Sequence, residues 1–174
     1  MRLFVALELS ESTIRSIEEW REPLVKQYLD LKWTCKNQFH ITLRFLGHRD
    51  PEQVISEIKA LHLEEFLPVE YSLSRIGHFG KPPSVLWLSG KFSSKAFTLN
   101  RSLDSIPDGN GLSGSSRHFT PHITLARVKP GMQCPIISFH KQISGLAKAI
   151  HLMNSELTGS GPTYSTLFTF GQLC

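Results

Sequence analysis

The sequence predicts a mixed fold of strands and amphipathic helices laid out as two related halves. Three observations carry that expectation. Period-two alternation and three-to-four-residue helical spacing both occur in each half of the 174-residue chain. The tetrapeptide His40-Ile41-Thr42-Leu43 returns verbatim as His122-Ile123-Thr124-Leu125, 82 residues further on. Each copy also lies on a predicted strand. Four identical residues alone are weak evidence, but matched strand and helix surroundings make an internal duplication the better reading.

Along the chain, Arg2 to Leu9 reads as a buried strand. Ser10 or Ser12 can cap a helix whose apolar positions are Ile14, Ile17, Trp20, Leu24 and Tyr28, and Pro23 is expected to kink or split it. Leu31 to Thr34 reads as a short strand. Phe39 to Leu46 is a clearer one, ended by Gly47, because Phe39, Ile41, Leu43 and Phe45 alternate with His40, Thr42, Arg44 and Leu46. Asp50, Pro51 and Gln53 have the spacing of a capping box, ahead of a helix with Val54, Ile55, Ile58 and Leu61 on its buried side. Strands are expected over Val69 to Ile76 and Val85 to Leu88, separated by a Gly/Pro-rich stretch.

In the second half, Ala96, Leu99, Leu103 and Ile106 form a helical stripe that Pro107 stops. Asp108 to Ser116 reads as a mobile loop, and His122 to Val128 as a strand. Ile136 to Leu146 reads as a short helix. Ala149 to Leu157 and Tyr164 to Phe170 read as two last strands joined by a glycine-rich turn.

Composition narrows the classes. Hydrophobic residues at 40% and charged residues at 20% describe a globular chain, and the formal charge of +4 is mildly basic, as suits an anionic partner. The apolar start of the chain stops at Glu8, too soon for a signal peptide, and no stretch approaches twenty apolar residues. Cys35, Cys134 and Cys174 are an odd count without a Cys-x-x-Cys pair, so a reducing cytoplasm is the expected setting.

The repeat points to chemistry. On a strand, His and Thr two residues apart share one face while Ile and Leu take the other. One such pair is more often an ordinary surface feature; two on matched strands reverse those odds. Two imidazoles and two hydroxyls suit cleavage of a phosphodiester. A neutral histidine takes a proton from water, a protonated one gives a proton to the leaving oxygen, and the threonines donate to the charge growing on phosphorus-bound oxygens. Arg44, Arg127 and Lys129 lie close in sequence as sources of positive charge. By parity Arg44 shares the face of His40, whereas Arg127 points away from His122 unless a bulge, a twist or the strand end intervenes.

A metal site is the chemical rival. His118 and His122 are four apart, but Pro121 and the strand pattern oppose the helix that this spacing needs, and no His-Glu-x-x-His motif is present. No catalytic metal or cofactor is expected. Phosphate-loop and dinucleotide fingerprints are lacking too. His48, His62, His78, His140 and His151 have no paired context and read as surface or packing residues.

With these motifs the chain resembles the 2H phosphoesterase superfamily, and within it the bacterial and archaeal RNA 2′,3′-cyclic phosphodiesterases, historically called 2′-5′ RNA ligases. The likeness runs through MRLFVALEL, FHITLRFLG, the VLWL strand at 85–88, RHFTPHITLARV and SELTGSGPTYSTLFTF. It implies a bilobal α+β fold, a single domain over residues 1–174 with two pseudo-symmetric lobes, antiparallel sheets, outer helices and an active site in the cleft between lobes.

By the same resemblance His40 is the proton donor and His122 the proton acceptor, with Thr42, Thr124 and Arg127 on the phosphate. The implied reaction is metal-independent opening of an RNA terminal 2′,3′-cyclic phosphate to a 2′-phosphomonoester, with 2′-5′ ligation as its reverse. The implied partners are RNA 3′ ends carrying the cyclic phosphate, tRNA fragments among them, met by a monomer without membrane contact. Arg44 departs from the lysine common at its position, which keeps charge but changes geometry. Phe79 and Phe119 are candidates for stacking on a base, and equally for packing in the core. Two other readings stay open: a non-catalytic RNA-end binder, and a phosphodiesterase acting on nucleotide cyclic phosphates or 2′-5′ oligonucleotides.

Overall fold

A computed structural model describes residues 1–113, 118–159 and 161–171. Its elements are β1 (Arg2–Leu7), α1 (Glu11–Gln27), β2 (Leu31–Trp33), β3 (Ile41–His48), α2 (Pro51–Lys59), β4 (Val69–Phe79), β5 (Val85–Phe92), α3 (Ser94–Leu103), β6 (Ile123–Val128), β7 (Ile143–Ala147), β8 (Ala149–Thr158) and β9 (Gly161–Gly171). They form two antiparallel sheets with three helices. The first has the order β3-β1-β8-β9, the second β2-β6-β5-β4-β7.

The sheets are interwoven. The first takes strands from both ends of the sequence, and the second sets β6 between β2 and β5, with β4 and β7 beyond β5. Leu3, Val5 and Leu7 of β1 are buried on one side of the first sheet. They share a continuous apolar cluster with Val54 and Ile58 of α2 and with Ala96, Leu99 and Leu103 of α3. Burying each of these leucines contributes about 2 kcal/mol, which drives the helices onto the outer faces.

Local chemistry sets the ends of the elements. The Ser10 hydroxyl accepts from the Thr13 N–H at 3.3 Å, and the Asp50 carboxylate accepts from the Gln53 N–H at 3.0 Å. The Gln53 side chain turns instead to Glu57, at 3.0 Å, so the reciprocal half of the capping box is not made. α1 continues through Pro23 as one helix of 17 residues, so of the expected kink or split the split does not occur. Its fixed φ is helical, and tertiary packing of the stripe around Ile17 outweighs one lost bond.

The last four residues of the expected helix over Ile136 to Leu146 fall instead in β7, an edge strand on Val69–Leu73, because pairing with β4 satisfies backbone that an isolated short helix would not. β4 and β5 run on to Phe79 and Phe92, and β3 runs through Gly47 to His48. The loop after Pro107 is described only to residue 113, where the Asp108 carboxylate accepts from the Asn110 and Leu112 N–H groups. The rest of the expected mobile loop, and Arg117 of the second extended motif, lie outside the described residues.

Candidate active site

Each repeated histidine sits immediately ahead of a strand, and each is held in the same way. His40 Nδ1 lies 2.7 Å from the Gln38 carbonyl oxygen, and His122 Nδ1 lies 2.7 Å from the Thr120 carbonyl oxygen. A carbonyl can only accept, so Nδ1 carries the proton in both rings. Nε2 is then left with its lone pair. On His40, Nε2 is 3.0 Å from the Thr42 hydroxyl. Segment 34–39 is braced from behind by Arg21, whose guanidinium donates to the Thr34 carbonyl at 2.5 Å and stacks 4.8 Å over Phe39.

The two strands also break register at the same residue of the repeat. On β3, Thr42 faces Ala6 and Arg44 faces Val5, so Leu43 has no residue of its own opposite. On β6, Thr124 faces Trp87 and Ala126 faces Leu86, so Leu125 is the extra residue. These are β-bulges, and each flips the faces of the residues beyond it on the strand.

Arg44 is therefore turned away from Thr42, contrary to the parity expectation. It is 6% exposed, pairs with Asp104 and donates to the Ile106 carbonyl at 3.1 Å, tying down the end of α3. Arg127 moves the other way. It pairs with Val85, which shares a face of β5 with Trp87, so Arg127 shares the face of Thr124.

Aromatic rings wall both imidazoles. Phe4 and Tyr164 lie 5.0 and 5.3 Å from His40, Tyr164 at 90°; Phe79 lies 4.8 Å from His122 at 85°, with Trp87 at 6.3 Å. A Cβ on Gly77 would stand 2.2 Å from the Trp87 ring, so glycine is required for the indole to cross β4. Burial pushes the His40 pKa down to about 4, against the opposing Gln38 carbonyl and with help from the charge of His122. Burial also lowers that of His122, opposed by the Thr120 carbonyl. The charge of one ring thus bears on the other.

Phe79 stands at the site and is 38% exposed. Phe119 does not join it; its ring contact is Phe97 of α3, at 5.6 Å. Lys129 lies past the end of β6. Reading along the sequence misses four residues of this surface: Phe4, Tyr164, Trp87 and Lys32, each brought in by another strand. His151, read as a surface or packing residue, lies across β1 from Thr42, with Nδ1 2.9 Å from the Thr169 hydroxyl and Nε2 3.6 Å from Glu8. Among the described residues no three His, Cys, Asp or Glu side chains converge, and no helix is long and apolar enough to cross a membrane.

Two antiparallel sheets that each present one His–Thr pair define a two-histidine phosphoesterase architecture. Residues 7–87 match the family model described as LigT-like phosphoesterase. A Thermotoga maritima protein named RNA 2′,3′-cyclic phosphodiesterase is 31% identical over 97% of this chain and 94% of its own. A Methanocaldococcus jannaschii protein of the same name is 30% identical over 96% of this chain and 98% of its own. The apo crystal structure of E. coli LigT superposes with a TM-score of 0.77 at 23% identity, covering 98% of this chain and 96% of the other, a likeness of fold. The chain belongs to the LigT-like, or 2H, phosphoesterase family.

Proposed function

We propose that the protein hydrolyses the 2′,3′-cyclic phosphodiester at an RNA 3′ end to a 2′-phosphomonoester. The observation that carries this reading is the matched pair of imidazoles, each with Nδ1 fixed on a carbonyl so that Nε2 is the nitrogen left for proton exchange, with the Thr42 hydroxyl beside that of His40. The activity named for the nearly full-length relatives supports it.

In the proposed step His122 Nε2 takes a proton from water while the water oxygen bonds to phosphorus. The P–O3′ bond breaks, and His40 Nε2 delivers a proton to O3′. In the free protein burial keeps His40 neutral near pH 7. The bound phosphodiester anion restores the proton, since an opposite charge nearby favours imidazolium, and the Thr42 hydroxyl then accepts from Nε2. Thr124 and Arg127, on one face, donate to the non-bridging oxygens. With a 5′-hydroxyl in place of water as the attacking group, the same geometry joins the cyclic-phosphate end to it through a 2′-5′ bond as the P–O3′ bond breaks and O3′ takes the proton.

The test is product analysis on a short RNA ending in 2′,3′-cyclic phosphate, with excess chelator present. A 2′-phosphate is expected. A 3′-phosphate would overturn the choice of leaving oxygen, and loss of turnover on chelation would overturn the metal-free step.

A further inference from the structure

The second sheet carries a feature that the two histidines and two threonines do not use. Lys32 of β2 is the direct cross-strand partner of Arg127, and both are exposed. Like charges directly opposite on a sheet are destabilising, and neither residue makes an ion pair among the described residues. The register continues this row through Val85 to Phe79, on the face that also bears Thr124 and Trp87. Arg75 shares that face and lies 5.7 Å over the Trp87 ring. From the Arg127 row to Arg75, the paired residues on this face include three cations and no carboxylate.

The Lys32 ammonium is also placed by the other sheet. A Cβ on Gly161, at the start of β9, would stand 2.6 Å from Lys32 Nζ. That end of β9 is held by Gln38, whose side-chain N–H donates to the Pro162 carbonyl at 2.6 Å, two residues before His40. The cation thus stands where the edge of one sheet meets the hairpin of the other. Arg127 lies two β5 residues, about 6.7 Å, along the face from the Thr124 row, and Lys32 is one strand, about 4.8 Å, further out.

We propose that Lys32, beside Arg127, binds the internucleotide phosphate upstream of the reacting end, so that the protein selects RNA chains over cyclic mononucleotides. This rests on the cyclic-phosphodiesterase reading. Arg127 reaches back toward the reacting phosphate. Lys32 takes the next one, and an anion there relieves the repulsion between the two cations.

The test compares wild type with Lys32→Gln on a 2′,3′-cyclic mononucleotide and on a tetranucleotide ending in the same cyclic phosphate. The expected result is a roughly tenfold fall in the ratio of kcat/KM for tetramer to that for mononucleotide, carried by KM; one charge-assisted hydrogen bond to phosphate has that size. An unchanged ratio overturns the proposal. Should wild type cleave neither substrate, the cyclic-phosphodiesterase reading itself fails. Fluorescence anisotropy with a labelled tetramer ending in a 3′-phosphate then still reads the site. There, Lys32→Gln should weaken binding and reduce the slope of log K against log salt by about 0.7. Equal slopes for the two proteins overturn the site as well.

Discussion

The two copies of His-Ile-Thr-Leu share a backbone geometry and part company beyond the leucine. Both histidines donate from Nδ1 to the carbonyl two residues back, and both strands bulge at the leucine. After the bulge, the first copy buries Arg44 and exposes Phe45, at 67%, on the side of Thr42. The second buries Ala126 and places Arg127 there. One bulge geometry therefore serves two ends. In the first sheet it turns a cation inward to hold α3; in the second it turns one outward beside the threonine. The desolvation differs as well, since only the His40 pKa is driven as low as about 4.

The comparison can be broken most forcefully at the histidines. His40→Ala and His122→Ala should each cost about a hundredfold or more in turnover of a cyclic-phosphate RNA, as expected for groups that move protons. Retention of activity in one variant alone would show that the matched geometry does not mean matched use.

The arginines give the next largest contrast. Arg44→Ala leaves Asp104 and the Ile106 carbonyl without their partner, and urea unfolding should show a loss of about 3 kcal/mol. Arg127→Ala, on the exposed side, should stay within about 0.5 kcal/mol of wild type in the same experiment while lowering turnover about tenfold. Equal destabilisation by both would contradict the opposite roles that the bulges give them.

The imidazoles can be separated by pH. Histidine NMR titration of the free protein should place the His40 midpoint near 4 and the His122 midpoint below the ordinary value. Because the folded pKa is depressed, the unfolded chain binds more protons. Stability should therefore fall as the pH drops from about 6.5 toward about 4. His40→Asn should flatten that part of the curve, and an unchanged slope would remove His40 as its source.

The smallest effect is at the wall of the second site. Phe79→Ala admits water beside His122, so its titration midpoint should rise back toward the ordinary histidine value. No movement would mean that Trp87 and the strands alone desolvate it.

Much of the fold is legible in the sequence because its signals are local. Alternation marks β3 and β6, capping chemistry places the start of α2, and the repeat identifies His40, Thr42, His122 and Thr124. The segment 136–146 misleads because Ile143–Ala147 becomes a strand only by pairing with β4. The face of Arg44 misleads because pleat parity assumes an unbroken ladder, while Arg127 reaches the face of Thr124 through a bulge, one of the exceptions that parity reading left open.

The sequence by itself determined that the His–Thr pair occurs twice and which segments carry it. The tertiary structure decided the rest. It set which arginine meets the threonine, how far each imidazole is desolvated, and that Lys32 stands beside Arg127. Those outcomes depend on partner strands far away in the chain, and a bulge or a buried wall exists only once those strands are in place.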